Sequence, residues 1–230
     1  MIEVRKSAER GGGRRDWLTS RFTFSFADYH DPEHMGFGTL RVLNEDWIAP
    51  AAGFDAHPHR DMEILTYPIS GALEHRDSEG HIARLRPGRI QLMTAGTGIV
   101  HSEKNASADE PTHLLQIWIL PEETNLAPGY QERGVVLGAA PLQLLVSPDG
   151  RQDTLRIHQD AYVYKVDLRD SESVEYVLAP GRRVWLQMLD GRLGVNGTRL
   201  VTGDGAGIIE ESILKLDSTG ESQALLFDLA

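Results

Sequence analysis

Apolar residues recur along this chain in short runs, many of them at every second position, cut by Gly, Pro, Asp and Asn. Residues 19–26 (Thr-Ser-Arg-Phe-Thr-Phe-Ser-Phe) alternate with the period of a half-buried strand. Residues 40–43, 64–69, 89–93 and 113–120 read as further strands, with turn signals at Ser70-Gly71, Asp77-Ser78-Glu79-Gly80 and Arg86-Pro87-Gly88. No segment sustains a helical period beyond about two turns. The pattern predicts an all-β protein built as a sandwich or barrel.

The texture then repeats. Residues 142–147, 162–168, 183–189 and 223–228 are again apolar and turn-bounded, and Asn196-Gly197 is a type I′ hairpin signal. Two β-barrels in tandem follow from this, residues 1–135 and 136–230, with the Glu-, Pro- and Gly-bearing stretch 121–138 as their connection. The two halves differ in chemistry. Eight of the nine histidines lie in the first, and only His158 in the second.

Composition narrows the chemistry further. The 230 residues carry 34 acidic and 23 basic side chains, a formal net charge of −11, which argues against a nucleic-acid backbone as partner. There is no cysteine, so disulfides, thiolate ligands, iron–sulfur clusters and cysteine nucleophiles are excluded. The first residues have no apolar signal core, and no run reaches the ~18 apolar residues of a membrane helix. A cytosolic protein without a membrane partner is expected. No G-X-S-X-G or P-loop motif occurs, and Arg10-Gly11-Gly12-Gly13-Arg14-Arg15 reads as a turn-forming or mobile segment.

Two histidine pairs carry the candidate chemistry. His57-Pro58-His59 and His101-Ser102-Glu103 each place two metal-binding side chains at i and i+2, one face of a strand. Two such strands facing each other inside a barrel would converge three imidazoles and a carboxylate, a donor set for a divalent transition metal. Glu63 shares parity with His57 and His59 and is a rival carboxylate, as ligand or as support behind the ligands. His75, His81 and His113 are expected outside the ligand set, and His30 and His34 in an exposed loop. Ile64, Leu92 and Ile117 are expected to line the interior.

The two pairs sit in longer motifs. The first runs from Gly53 through His57, His59 and Glu63 to Gly71, the second from Gly88 through Gly96 and His101 to Asn105. These resemble the two motifs of the cupin superfamily, G-X5-H-X-H-X3,4-E-X6-G and G-X5-P-X-G-X2-H-X3-N. Three residues separate Gly53 from His57 where the motif has five, and Thr94 stands at the proline. The departures, with Glu9-Arg10-Gly11-Gly12-Gly13, Phe22-Thr23-Phe24-Ser25-Phe26-Ala27-Asp28-Tyr29 and Leu73-Glu74-His75-Arg76-Asp77-Ser78, resemble the pirin family through residues ~9–120.

That resemblance implies a bicupin, two tandem jelly-roll barrels with one metal in the N-terminal barrel. It places the ligands at His57, His59, His101 and Glu103, and together with the compact i, i+2 pair it favours Glu103 over Glu63. The implied ion is Fe(II) first, with Cu, Mn, Co, Ni or Zn as alternatives. The implied activity is cleavage of a flavonol such as quercetin with O2, as in quercetin 2,3-dioxygenases, with Glu103 as general base. The alternative is a pirin-like regulator whose metal senses redox state while the chain binds a protein partner.

Overall fold

A computed structural model describes residues 1–136, 138 and 140–230. Strands account for nearly all of the regular structure, with two short 3₁₀ turns, Ser7–Glu9 and Arg151–Asp153. The chain begins with β1 (Ile2–Arg5), β2 (Gly11–Arg14), β3 (Leu18–Phe22) and β4 (Leu40–Ile48). The motif-bearing region follows: β5 (Gly53–His59), β6 (Glu63–Ser70), β7 (Leu73–Asp77), β8 (Ile82–Leu85) and β9 (Arg89–Thr94). Next come β10 (Ile99–Asn105), β11 (Thr112–Ile119) and β12 (Gly129–Gly134).

The second half holds β13 (Leu142–Ser147), β14 (Leu155–Arg156), β15 (Ala161–Leu168), β16 (Ser173–Val177) and β17 (Arg183–Asp190). It ends with β18 (Arg192–Val195), β19 (Thr198–Val201), β20 (Gly205–Ile208), β21 (Ile213–Ser218) and β22 (Ser222–Leu229).

These strands form two compact units. One, Gly11–Val135 with Ile157–Gln159, contains a seven-stranded sheet β12-β9-β6-β11-β4-β3-β2 and a four-stranded sheet β5-β10-β7-β8. The other, Met1–Arg10, Val136–Arg156 and Asp160–Ala230, contains β1-β20-β17-β22-β15-β13-β14 and β16-β21-β18-β19. The same seven-plus-four arrangement appears in each, which is the internal duplication made visible.

Two segments depart from the division at 135/136. The first ten residues belong to the second unit, where β1 pairs antiparallel with β20 at the place that β12 takes beside β9 in the first. Residues 157–159 belong to the first unit, held by Glu122 N–H donating to the His158 carbonyl and Gln159 Nε2 donating to that of Leu120. The expected connection 121–138 contains β12, whose ladder with β9 is regular. Arg10–Arg15 also departs from expectation. Gly11–Arg14 is a strand on the edge of the seven-stranded sheet, with the Tyr29 ring packed where a Gly11 side chain would stand.

The duplicated sheets differ in what they enclose. In the second unit the interior is solid: Val166, Leu186, Met188, Leu193, Leu214, Leu216 and Leu226 are all buried in one aliphatic cluster. Burying each such side chain contributes about 1.5–3 kcal/mol. On β16 and β21, which pair as β5 and β10 do, Val174 stands opposite Leu216 and Tyr176 opposite Leu214. Apolar residues therefore occupy in this unit the sheet positions where the first unit has histidines, and they leave it a packed core.

Candidate metal centre

β10 alternates strictly. Ile99, His101, Glu103 and Asn105 are buried while Val100, Ser102 and Lys104 are more exposed, so the period-two pattern directs His101 and Glu103 inward together. β5 lies beside it on the edge of the four-stranded sheet, where Pro58 costs no interior ladder bond. The two strands are hydrogen-bonded neighbours, with His101 opposite His57 and Ile99 opposite His59. The expectation of two strands facing each other across a barrel is thereby corrected. Adjacent pairing brings the same side chains together because residues directly opposite in an antiparallel ladder share a face.

A register shift between His101 and Glu103 leaves Phe54 opposite Glu103 and pushes Asp55 and Ala56 out to solvent. This bulge re-aims the strand where the site needs an aromatic wall. It is reached from Gly53, which holds φ at +154° and lies where a Cβ would stand 2.2 Å from the Glu103 carbonyl oxygen. Gly53→Ala must push β5 off β10. A loss of roughly 1–3 kcal/mol from the first unit, read by denaturant unfolding, is the expected outcome, and unchanged stability would refute the close-approach role. At the other end of β10, Asn105 Nδ2 donates to the carbonyls of Ile48, Ala49 and Glu110, so this motif residue anchors the strand end.

Three imidazoles converge. Ring centroids lie 4.5 Å apart for His57 and His101, and 4.8 Å apart for His57 with His59 and His59 with His101. One ring nitrogen from each falls within 4.8 Å of the others. His57 Nδ1–H donates to the Asp55 carbonyl at 2.7 Å, which leaves the Nε2 lone pair for a ligand. His101 Nε2 is buried and has no hydrogen-bond partner. Burial, then the charge of His57, pushes His59 down to about 4. Burial, with His57, His59 and His75 nearby, pushes His101 down to about 2. Both rings are therefore neutral at pH 7, the form that binds metal.

Glu103 joins His101 and His75 in a second cluster with donor atoms within 4.8 Å of one another. Its carboxylate is buried, accepts from Gln116 Nε2 at 2.5 Å and accepts a longer bond from Thr66 Oγ1 at 3.3 Å. Burial pushes it up to about 7, with the Gln116 hydrogen bond opposing and the nearby Asp46 adding to the rise.

Glu63 behaves differently from the sequence expectation. β5 ends at His59, Asp61 adopts φ +48°, and β6 belongs to the other sheet, so strand parity does not carry across the break. Glu63 pairs with Thr94 and Ile119, accepts from Thr94 Oγ1 at 3.1 Å and lies 3.4 Å from His158 Nδ1. It joins neither histidine cluster.

A cavity of about 570 Å³ opens onto the three imidazoles. Phe22, Phe26, Phe54, Trp118 and Ile64 supply its apolar wall, and Asn44, Asp46, Gln116 and Glu103 its polar floor. Ile64 lines it as expected, but Leu92 and Ile117 do not. Trp118 pairs with Ile64, whereas Ile117 and Leu92 both pair with Leu65 on the opposite face of the sheet. Gln116, Trp118, Phe54 and Asp46 were missed as site residues. Asn44, Glu45 and Asp46 are consecutive polar residues, so no alternation in the sequence marks the two that line the cavity.

The remaining histidines are accounted for. His113 stacks on Trp47 and bonds Glu45, His34 bonds Asp31 within its loop, and His30 is exposed. Tyr29, next to them, borders the cavity.

Residues 3–119 match the family model described as Pirin, and residues 144–229 match that of the quercetinase C-terminal cupin domain. The chain belongs to the pirin family. A quercetin 2,3-dioxygenase of Escherichia coli is 46% identical over all of this chain and 99% of its own length. A pirin-like protein of Caulobacter vibrioides is 38% identical over the full length of both. The crystal structure of the bacterial pirin YhhW of Escherichia coli in complex with nickel(II) superposes with a TM-score of 0.97 at 45% identity, covering 100% of this chain and 99% of that one.

In this pirin the donor set fits a single divalent metal. Three converging imidazoles suit a first-row transition ion over Ca²⁺ or Mg²⁺, which prefer oxygen. The unpartnered Nε2 of His101, buried in a cluster of like groups, is the observation a ligated metal would explain. No helix among the described residues is long and apolar enough to cross a membrane.

Proposed function

We propose that this pirin is a metal-dependent dioxygenase that cleaves a flavonol such as quercetin with O2. His57, His59, His101 and Glu103 would hold one divalent transition metal, Fe(II) in first place. The observation that carries the reading is the cavity. Its ~570 Å³ lies within the range of small-molecule sites, its walls are aromatic, and it ends on the histidine cluster. A regulator that only sensed redox state through its metal would have no need of such a chamber.

When bound, the metal would supply a Lewis acid for the flavonol's 3-hydroxyl oxygen and a redox centre for O2. The chain's own residues do the rest. Phe54, Phe22 and Trp118 offer faces and edges against which a flat polycyclic substrate packs. Trp118 also sets its ring edge-on to His59 at 4.9 Å, which restrains that imidazole. Glu103, a buried carboxylate beside the histidine cluster and on the cavity lining, is the group placed to accept the 3-hydroxyl proton. Gln116 and Thr66 hold its carboxylate in place through both oxygens. The apolar wall keeps bulk water from the opened ring.

The test is direct. Protein loaded with iron, copper or nickel is mixed with quercetin in air, and the loss of its visible absorption is followed alongside O2 consumption. Coupled loss of both, absent from the metal-free protein, is the expected result. A metal-replete protein that leaves quercetin intact would overturn the dioxygenase reading in favour of the regulatory one.

A further inference from the structure

Behind the three imidazoles lies a buried chain of polar groups that the dioxygenase reading leaves unused. His75 and Asp77 sit on β7, directly opposite Glu103 and His101 of β10. The side chains of both are completely buried. His75 Nε2 lies 3.3 Å from Asp77 Oδ2, and His75 Nδ1 lies 3.5 Å from His101 Nδ1. Tyr130 covers the pair, its ring 5.2 Å from that of His75 and stacked at 4.9 Å on that of His81.

Hydrogen-bond polarity runs one way through this chain. Asp77 is held as a carboxylate: Oδ1 accepts the backbone N–H of Glu79 and of His81, and Oδ2 lies 2.9 Å from His81 Nδ1. An acceptor at Oδ2 requires His75 to carry its proton on Nε2. His75 Nδ1 is then a lone pair, and Gln91 Nε2 donates to it at 3.4 Å. Facing that lone pair, His101 carries its proton on Nδ1, in a bond shared with Gln91 and correspondingly long. Its Nε2 is left unprotonated, and this is the atom that is buried without a partner.

We propose that Asp77 and His75 are positioning residues that set the tautomer of His101 and so point its Nε2 lone pair at the metal. The role rests on the assignment of His101 as a ligand. It gives function to a histidine that the motif spacing leaves out. Carboxylate partners of ligating histidines ordinarily act on the ligand directly. Here a second imidazole stands between them: Asp77 is opposite His101 in register, but its carboxylate bonds His75 Nε2 and His75 Nδ1 is the atom that meets the His101 ring.

The polarity makes the test sharp. In Asp77→Asn, the two backbone N–H groups at Oδ1 keep the amide oxygen on their side, so the NH₂ faces His75 Nε2. His75 must then protonate Nδ1, and His101 must move its own proton to Nε2, the ligand atom. In His75→Gln the polarity is preserved, since the amide NH₂ can donate to Asp77 and the oxygen can accept from His101. In His75→Leu it is lost.

Two readouts follow. Nitrogen-15 NMR of the metal-free protein reports which nitrogen of His101 bears the proton, and calorimetric nickel(II) titration reports affinity. Expected are an Nδ1–H tautomer in the wild type, an Nε2–H tautomer in Asp77→Asn, and a loss of nickel affinity of about 10–100-fold in Asp77→Asn and His75→Leu. His75→Gln should stay within a few-fold of the wild type. A His101 tautomer unchanged in Asp77→Asn, or nickel affinity within about twofold in both disrupting variants, would overturn the relay while leaving the ligand assignment standing. A wild-type protein that takes up no nickel would overturn both. If His75→Leu does not fold, the Asp77→Asn tautomer and its contrast with His75→Gln decide the matter.

Discussion

His59→Ala protein, purified and dialysed with a limiting transition metal, should retain well under a tenth of the metal that the wild type holds. The ring of His59 stands 4.8 Å from both His57 and His101, and its edge contact with Trp118 keeps it turned to them. Its neutral state at pH 7 means that no proton needs to be displaced on binding. Removing one of the four proposed ligands should cost on the order of 3 kcal/mol, or about a hundredfold in affinity. His30→Ala, at an exposed loop position, should keep its full complement and serves as the control. Metal content by mass spectrometry checks both, and full retention in His59→Ala would sink the ligand assignment.

Glu103→Gln should separate stability from activity. The folded metal-free protein holds the Glu103 proton up to a pKa of about 7, against 4.5 ordinarily. The stabilisation from this group is thus complete below about pH 4.5 and is lost as pH rises through 7. Above that, an ionised carboxylate sits in a buried site, and Gln removes the cost. Gln also fits the surroundings, its oxygen accepting from Gln116 and its NH₂ donating to the Thr66 hydroxyl. At pH 8 the metal-free variant should melt several degrees above the metal-free wild type, in line with ~2–4 °C per kcal/mol for a chain of this size. At pH 4.5 the two should coincide. Flavonol turnover by the metal-loaded variant should fall by roughly 10²–10⁴, the range lost with a general base. Equal melting at pH 8 would contradict the desolvated carboxylate, and retained turnover would contradict its role as base.

The histidine centre was legible because its two pairs each lie within one unbroken strand. His57 and His59 share a face by spacing alone, as do His101 and Glu103, and no neighbour in the fold can alter that. Glu63 shows the limit of the same argument. Its parity with His59 held only if the strand continued, and the turn at Asp61 sends the chain into the other sheet. The lining residues failed for a related reason. Ile64 and Ile117 look equivalent along the sequence, but the β6/β11 register sets Ile64 opposite Trp118 and turns Ile117 to the far side. A one-residue difference in register exchanges the two faces of a strand.

From the amino-acid sequence alone came the all-β class, the duplication, the cupin-like motifs with their pirin character, and the three histidines that converge in the first unit. Each depends on local periodicity or on residue type, which the chain carries wherever it folds. Tertiary structure alone decided that β5 and β10 are hydrogen-bonded neighbours, that β1 joins the sheet of the second unit, and that Gln116 holds Glu103 beneath an aromatic cavity. It also decided that His75 lies behind His101. Those are choices of partner between segments far apart in sequence, made by which faces can be buried together, and no local pattern encodes them.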